Sequence, residues 1–294
     1  MVSCDGESGV HVKAERITDA VAYHGEGPVW WPGWGGLKWV DMLAGDVLSL
    51  APSGEVTRWH SGSPVVAAIR PRSQGGMVLG VETGFALAND EGKCSLLPPL
   101  WLPGDLRMNE GACDPEGNFW CGSMAYDRTE GAASLWRLMP DGTTSKMISD
   151  LTISNGLCWS ADGTTAYYND TETYTISIFD WSPEDALHNR RVFVDLWEEQ
   201  LRPDGLTVDA EGGVWTGFSN GGAVRRYDAS GVLSAVIELP VRKVTACTFG
   251  GENLDQLFIT TSREGIPDNE QPEAGSLFLA EPGIRGMLPL VFAG

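Results

Sequence analysis

Asn109, Asn155 and Asp204 each place a side-chain oxygen eight positions ahead of a turn glycine, at Gly117, Gly163 and Gly212. Glu26 stands in the same relation to Gly35-Gly36, with one or two extra residues. Oxygens that recur at one phase of a repeat can be delivered to a single point. Four of them, two anionic, would seat a hard divalent cation, since calcium accepts carboxylate, amide carbonyl and water oxygens. Taken singly, Asn-Gly, Asp-Gly and Glu-Gly are ordinary turn pairs, and Pro140-Asp141-Gly142 reads as one. The shared phase is what favours a common site.

Arg107 lies two residues before Asn109, and its planar fork could grip a substrate carboxylate or hydroxyls. Asp127 follows Cys121-Gly-Ser-Met-Ala-Tyr126, where the chain is expected to return to the same end of the fold. A surface ion pair and a solvated loop carboxylate are the alternatives for these two. Other motifs are weaker. Gly217-Phe-Ser-Asn-Gly221 has the spacing of a nucleophile elbow, but that elbow needs a following helix, and Ala223–Tyr227 reads as a strand. Histidines 11, 24, 60 and 188 have no zinc-site spacing; His24, two residues from Glu26, could support the site from behind, although a surface position is the first expectation. No glycine loop that could cradle phosphate precedes a helix.

The elements that must position these residues are short strands. Turn glycines of one kind lie near Gly35, Gly75, Gly117, Gly163, Gly212 and Gly251. They alternate with a second series near Gly54, Gly92, Gly142, residues 182–189, Gly231 and Gly283. Each series recurs at about 40 to 50 residues, the spacing of four-stranded propeller blades. Six such units fill the chain, so the expected fold is all-β: a six-bladed β-propeller in one domain over 1–294. Residues 1–10 form a loose leader, and a strand within 11–20 joins the last blade to close the ring. A seventh blade would need about 40 more residues. The first strand of each blade lines the channel, so residues just before it gather at one mouth. Ala67 or Ala68 and the region of Thr245 occupy the phase in the other two blades, without a carboxylate.

Composition narrows the partners. A net charge of -20 argues against nucleic acid and anionic membranes, which attract basic patches. The six cysteines are scattered, with no Cys-x-x-Cys pair, and suit buried thiols in a reducing compartment. The first residues have neither a basic start nor an apolar core, so a cytoplasmic protein is expected, as a monomer or weak homo-oligomer.

Together, several motifs make the chain resemble the regucalcin/gluconolactonase family of six-bladed propellers, from Glu26 to about residue 280. They are Gly25-Glu26-Gly27-Pro28, Arg107-x-Asn109, Asp114-Pro-x-Gly117 with Trp120-x-Gly122-Ser-Met124, Ser154-Asn155-Gly156, Pro203-Asp204-Gly205 and Phe249-Gly250-Gly251. The resemblance implies one divalent metal held by Glu26, Asn155 and Asp204, with Asn109 close to metal and substrate. It also implies substrate contacts from Arg107 and Asp127, and hydrolysis of sugar lactones. Two departures bear on specificity: Glu110 stands where the family commonly has aspartate, and Asp127 is one carbon shorter than the glutamate common there.

The expected activity is therefore a metal-dependent, gluconolactonase-like opening of an aldonolactone, with a small-molecule sugar lactone as partner. Calcium is the first choice of ion, and zinc, manganese, magnesium or iron(II) are compatible. Asp204 would both touch the metal and accept the proton of the attacking water, while Asn109 and Arg107 orient sugar hydroxyls. A phosphotriester hydrolase using the same metal, and a calcium-binding propeller without turnover, are the alternatives.

Overall fold

The computed structural model describes residues 10–294 apart from Asp268. Six sheets follow one another along the chain, five of them four-stranded and one, the fifth blade, five-stranded. Their innermost strands are Gly25–Trp31, Val66–Pro71, Leu106–Cys113, Ser154–Trp159, Pro203–Val208 and Val244–Gly250. Each packs on the next, and the sixth packs on the first, so the blades form a closed ring. Radial closure of this kind leaves few bare strand edges.

Burial falls from axis to rim in the way that the residue types require. The innermost strand Val244–Gly250 is buried at every position, whereas the outermost strand Val56–His60 of the first blade is buried at none. Wedges between blades are filled by aromatic side chains on the second strands, with Trp39, Trp120 and Trp215 fully buried. Trp120 and Trp215 are also fixed by hydrogen bonds to carboxylates, from Nε1 to Asp114 and to Asp209 at 2.7 and 2.8 Å. A buried indole N–H needs such an acceptor. At the seam between first and last blades Trp30 stacks on Phe258, centroids 5.6 Å apart. Gly250 makes room for it: a Cβ there would lie 2.7 Å from the Trp30 ring.

The ring closes as the sequence suggests, with differences of detail. Glu15–Arg16 pairs antiparallel with Phe278–Leu279 as the outer strand of the last blade. Val10–His11 does not continue that strand. It runs parallel to Ala235–Val236 on the fifth blade, so the single strand expected over 11–20 is two pieces serving adjacent blades. Apart from Val10, the leader expected over 1–10 lies outside the described residues. Gly283 is not a hairpin turn either, because the N-terminal strand already occupies the edge that the chain would return to. Instead residues 284–294 cross the far mouth of the channel, bridging Asp209 with Gly286 and Arg72 with Phe292. No helix among the described residues is long and apolar enough to cross a membrane.

Candidate functional site

The four phased residues lie inside the innermost strands rather than ahead of them, and a local irregularity in strand pairing aims them inward. Pairing runs Met108↔Ser123 and then Gly111↔Cys121, so Asn109 and Glu110 face a single partner residue. It runs Ser154↔Asp170 then Leu157↔Tyr168 around Asn155, and Pro203↔Phe218 then Leu206↔Thr216 around Asp204. Glu26 is the last paired residue before the same feature in the first blade. Ala67 and Thr245 are the extra residues in the remaining two. Such bulges break the alternation of a strand and redirect a side chain. Here a bulge recurs in all six inner strands.

The glycines that follow Asn155 and Asp204 are required by packing between blades, not by a turn. Neither Gly156 nor Gly205 has a positive φ. A Cβ on Gly205 would sit 2.4 Å from the Ala246 Cβ of the next blade, and one on Gly156 would sit 2.7 Å from the Asp204 carbonyl oxygen. Asn-Gly and Asp-Gly therefore mark the places where inner strands approach most closely.

Side chains of the site also stitch these strands together. Asn109 Nδ2 donates to the Ser154 carbonyl at 3.0 Å. Asn155 Nδ2 donates to Thr171 Oγ1 at 3.0 Å, and Thr171 Oγ1 donates to the Pro203 carbonyl at 2.8 Å. Asn169 Nδ2 donates to the Asp204 carbonyl at 2.7 Å, and Thr245 Oγ1 to the Gly25 carbonyl at 2.6 Å. Strand starts are braced in turn: Asp41 accepts from the backbone N–H of Tyr23 and His24, and Asp170 from that of Thr152 and Ile153.

The result is a polar cavity lined by Glu26, Arg107, Asn109, Asn155 and Asp204. All five are about 95 % buried, with Glu26 at 3 % exposure and the others at 5 %. Arg107 Nη1 is held by Asn109 Oδ1 at 2.8 Å, the Met108 carbonyl at 3.0 Å and the Met42 sulfur. Asn109 thus has both amide atoms engaged by protein. Asn155 does not: with its nitrogen held by Thr171, its Oδ1 is buried without a partner, and so is Asp204 Oδ1. Glu26 Oε2 accepts only from the Gly27 N–H, at 3.0 Å.

Two carboxylates in so dry a place repel each other. Burial pushes the Asp204 carboxyl up to about 8, the neighbouring Asn155 amide offsetting part of this and Glu110 adding to it. Burial, then the negative charges of Asp204 and Glu110, raise Glu26 well above the usual range. Arg107 offsets part of the Glu26 shift, while Lys243 Nζ is bonded to Glu264 at 3.0 Å. A buried carboxylate pair with two orphaned oxygens fits a hard divalent cation. Among the described residues no three His, Cys, Asp or Glu side chains are grouped as a metal site. The set here has only two carboxylates, and its third donor is an amide.

Asp127 is not in the cavity. Its carboxylate is exposed, accepting from Thr129 N and Oγ1 at 2.9 and 2.8 Å, and it lines a separate shallow depression. The next residue, Arg128, is the one that lines the cavity. Arg128 adopts φ 59°, which swings this turn by one residue from the expected alignment. His24 is not at the surface as expected. Its side chain is 11 % exposed, Nδ1 lies 2.6 Å from Ser262 Oγ, and Nε2 is 4.0 Å from Glu26 Oε1. Burial, together with the Arg107 and Lys243 charges, lowers its pKa to about 3 against the pull of Glu264. It therefore faces the site as a neutral ring. Thr171 and Glu172, in the 3-10 turn Thr171–Thr173, also line the cavity, as do Arg202 and Lys243, each two residues before an inner-strand position equivalent to Asn109.

Known proteins share the fold of this chain over nearly its whole length. Residues 24–263 match the SMP-30/Gluconolactonase/LRE-like region. Rabbit (Oryctolagus cuniculus) regucalcin is 32 % identical over 296 residues, covering 96 % of this chain and 99 % of the relative. The structure of a calcium-binding protein, regucalcin, from Agrobacterium tumefaciens superimposes with a TM-score of 0.88 at 27 % identity, covering 96 % of this chain and 98 % of that one. A Xanthomonas campestris gluconolactonase superimposes with a TM-score of 0.74 at 25 % identity, covering 91 % and 89 %. From its matched span, its six-bladed ring and this degree of identity, the chain belongs to the SMP-30/gluconolactonase/LRE-like family.

Proposed function

We propose that this protein is a divalent-metal-dependent lactonase that opens an aldonolactone to the aldonic acid. The observation that carries the reading is the pair of orphaned buried oxygens, Asn155 Oδ1 and Asp204 Oδ1, beside Glu26 and within the same cavity as Arg107 and Asn109. Glu26, Asn155 and Asp204 would hold the cation. When bound, the cation supplies polarisation of the lactone carbonyl and a lowered pKa for water.

The remaining chemistry belongs to the chain. Asp204 accepts the proton of the water that attacks the carbonyl carbon, and returns it to the ring oxygen as the carbon–oxygen bond breaks. Arg107 is locked through one nitrogen, which leaves the rest of its fork to donate to ring or hydroxyl oxygens. Asn109 holds Arg107 in place and fixes the wall of the cavity through Ser154. A plain ion site has no need of this second cluster, which favours turnover over storage of an ion.

The test is a proton-release assay on chelated protein with gluconolactone, xylonolactone and paraoxon, followed by add-back of calcium, manganese, magnesium, zinc and iron(II). The reading expects lactone hydrolysis that vanishes on chelation and returns with at least one ion. Hydrolysis of paraoxon alone would reassign the substrate, and metal binding without turnover would remove the enzyme.

A further inference from the structure

An open groove of about 980 Å³ adjoins the cavity and shares Arg128, Glu172 and Arg202 with it. Its far wall carries Trp197, 57 % exposed, beside Tyr174. The inner cavity is small by comparison, about 110 Å³, whereas ligand sites commonly span about 300–1,000 Å³. A substrate whose reacting end fills the cavity has room to continue into this groove.

The exposed indole is held, not loose. Leu196 N donates to the Tyr174 carbonyl at 2.8 Å, Trp197 N to Asp195 Oδ1 at 2.9 Å, and Gln200 closes on the Trp197 carbonyl through both N and Nε2. The rings of Tyr174 and Trp197 meet edge to face at 5.3 Å, and Arg202 lies over Tyr174, its Nε bonded to the Tyr174 hydroxyl at 3.3 Å. One rigid chain of contacts therefore runs from the cavity to the indole.

Backbone strain collects at the same place. Seven non-glycine residues of the described chain have positive φ. Arg128, Asp150 and Tyr174 line this groove, and Gln200 pins the tryptophan loop. A bulky residue held there costs energy that the surroundings must offset, and such residues gather at functional sites. A fixed, water-exposed aromatic side chain in a groove that also carries carboxylates (Glu130, Asp150) and guanidinium groups (Arg128, Arg202) has the chemistry that binds a pyranose. Its C–H face stacks on the ring, and its hydroxyls bond to the charged groups.

We infer that the lactone taken by this protein carries a glycosyl substituent, so that its lactone ring enters the cavity while a second sugar ring stacks on Trp197. The inference rests on the lactonase reading and deepens it, naming a disaccharide aldonolactone as the substrate class. Arg128 and Arg202 stand at the junction, placed to bridge the two rings.

The experiment compares kcat/KM for gluconolactone with that for cellobionolactone, maltobionolactone and melibionolactone, in the metal-loaded wild type, Trp197→Ala and Trp197→Phe. Wild type should favour at least one glycosylated lactone by about tenfold through KM, the size that one well-placed aromatic contact supplies. Trp197→Ala should erase that preference while leaving gluconolactone turnover unchanged, and Trp197→Phe should keep most of it. If gluconolactone is hydrolysed but no glycosylated lactone is favoured, or if the preference survives in Trp197→Ala, the inference fails and the lactonase reading stands. If no lactone is hydrolysed, that reading fails, and a fluorescence titration with maltobionate and cellobionate decides the groove. Quenching in wild type that is absent from Trp197→Ala upholds a sugar site there, and no difference between the two overturns it.

Discussion

Thr171 Oγ1 accepts the hydrogen bond of Asn155 Nδ2 at 3.0 Å while donating to the Pro203 carbonyl at 2.8 Å. One hydroxyl therefore turns the amide oxygen of Asn155 into the cavity and ties its strand to the one that carries Asp204. Outer partners of this kind hold metal ligands in orientation, and their loss commonly weakens metal affinity about 10–100-fold. Thr171→Val should weaken calcium or manganese binding by that amount in a calorimetric titration, and Thr171→Ser should restore it. Unchanged affinity in Thr171→Val would show that Asn155 needs no such orientation.

Asp204 is assigned both a place at the cation and the proton transfer. Removing a positioned general base costs about 10²–10⁴-fold in rate. Asp204→Asn should lose at least that much kcat for gluconolactone at saturating metal, without loss of the native circular-dichroism spectrum. Full activity in Asp204→Asn would remove the residue from the mechanism.

The raised carboxyls set the pH dependence of the metal-free fold. Asp204 has an ordinary value of 3.8 and stands at about 8 in the folded chain, and Glu26 is shifted in the same direction. Between these two values the folded state keeps a proton that the unfolded chain has lost. The stability that protonated Asp204 contributes therefore falls as pH rises from about 4 to about 8, and Glu26 acts in the same direction. Melting temperatures of chelated protein from pH 5 to 9 should decline, and Asp204→Asn should flatten the decline. A divalent ion should restore more stability at pH 8 than at pH 5. Parallel slopes for the two proteins would contradict the assignment.

Gly205 is needed for the approach of the fifth and sixth blades. Gly205→Ala puts a Cβ 2.4 Å from the Ala246 Cβ, and overpacking of this kind costs about 1–3 kcal/mol. At about 2–4 °C per kcal/mol for larger domains, the melting temperature should drop by several degrees. Adding Ala246→Gly should recover much of it, since the two sites share one contact. No drop in the single variant would mean that the neighbouring strand yields freely.

Much of this site was legible because the repeat fixes phase. Eight residues from a turn glycine is a distance along a strand, and a ring of blades converts it into a common height in the channel. What the phase could not reveal was the bulge. Asn155-Gly156 and Asp204-Gly205 look like turns, and only the pairing register shows two residues opposing one inside a strand. The glycines carry a packing requirement that depends on the next blade, which no local pattern records. Asp127 was misplaced by one residue because a positive φ at Arg128 re-aims the turn, and arginine gives no signal for that conformation. His24 read as a surface residue because burial at an inner strand's start depends on Ser262 and Glu264, more than 230 residues away in sequence. Arg202 and Lys243 stand two residues before Asp204 and Thr245, the position that Arg107 holds before Asn109, so the repeat phase did mark them; Thr171 lies in a 3-10 turn outside that phase.

In the proposed lactonase, Glu26, Asn155 and Asp204 share one cation. An anomalous difference map from manganese-loaded crystals tests this directly. The account predicts one strong peak among the carboxylates of Glu26 and Asp204 and the Asn155 amide oxygen, absent from crystals of Asp204→Asn grown in the same way. A map with no peak there, or with manganese only at surface carboxylates, would contradict it.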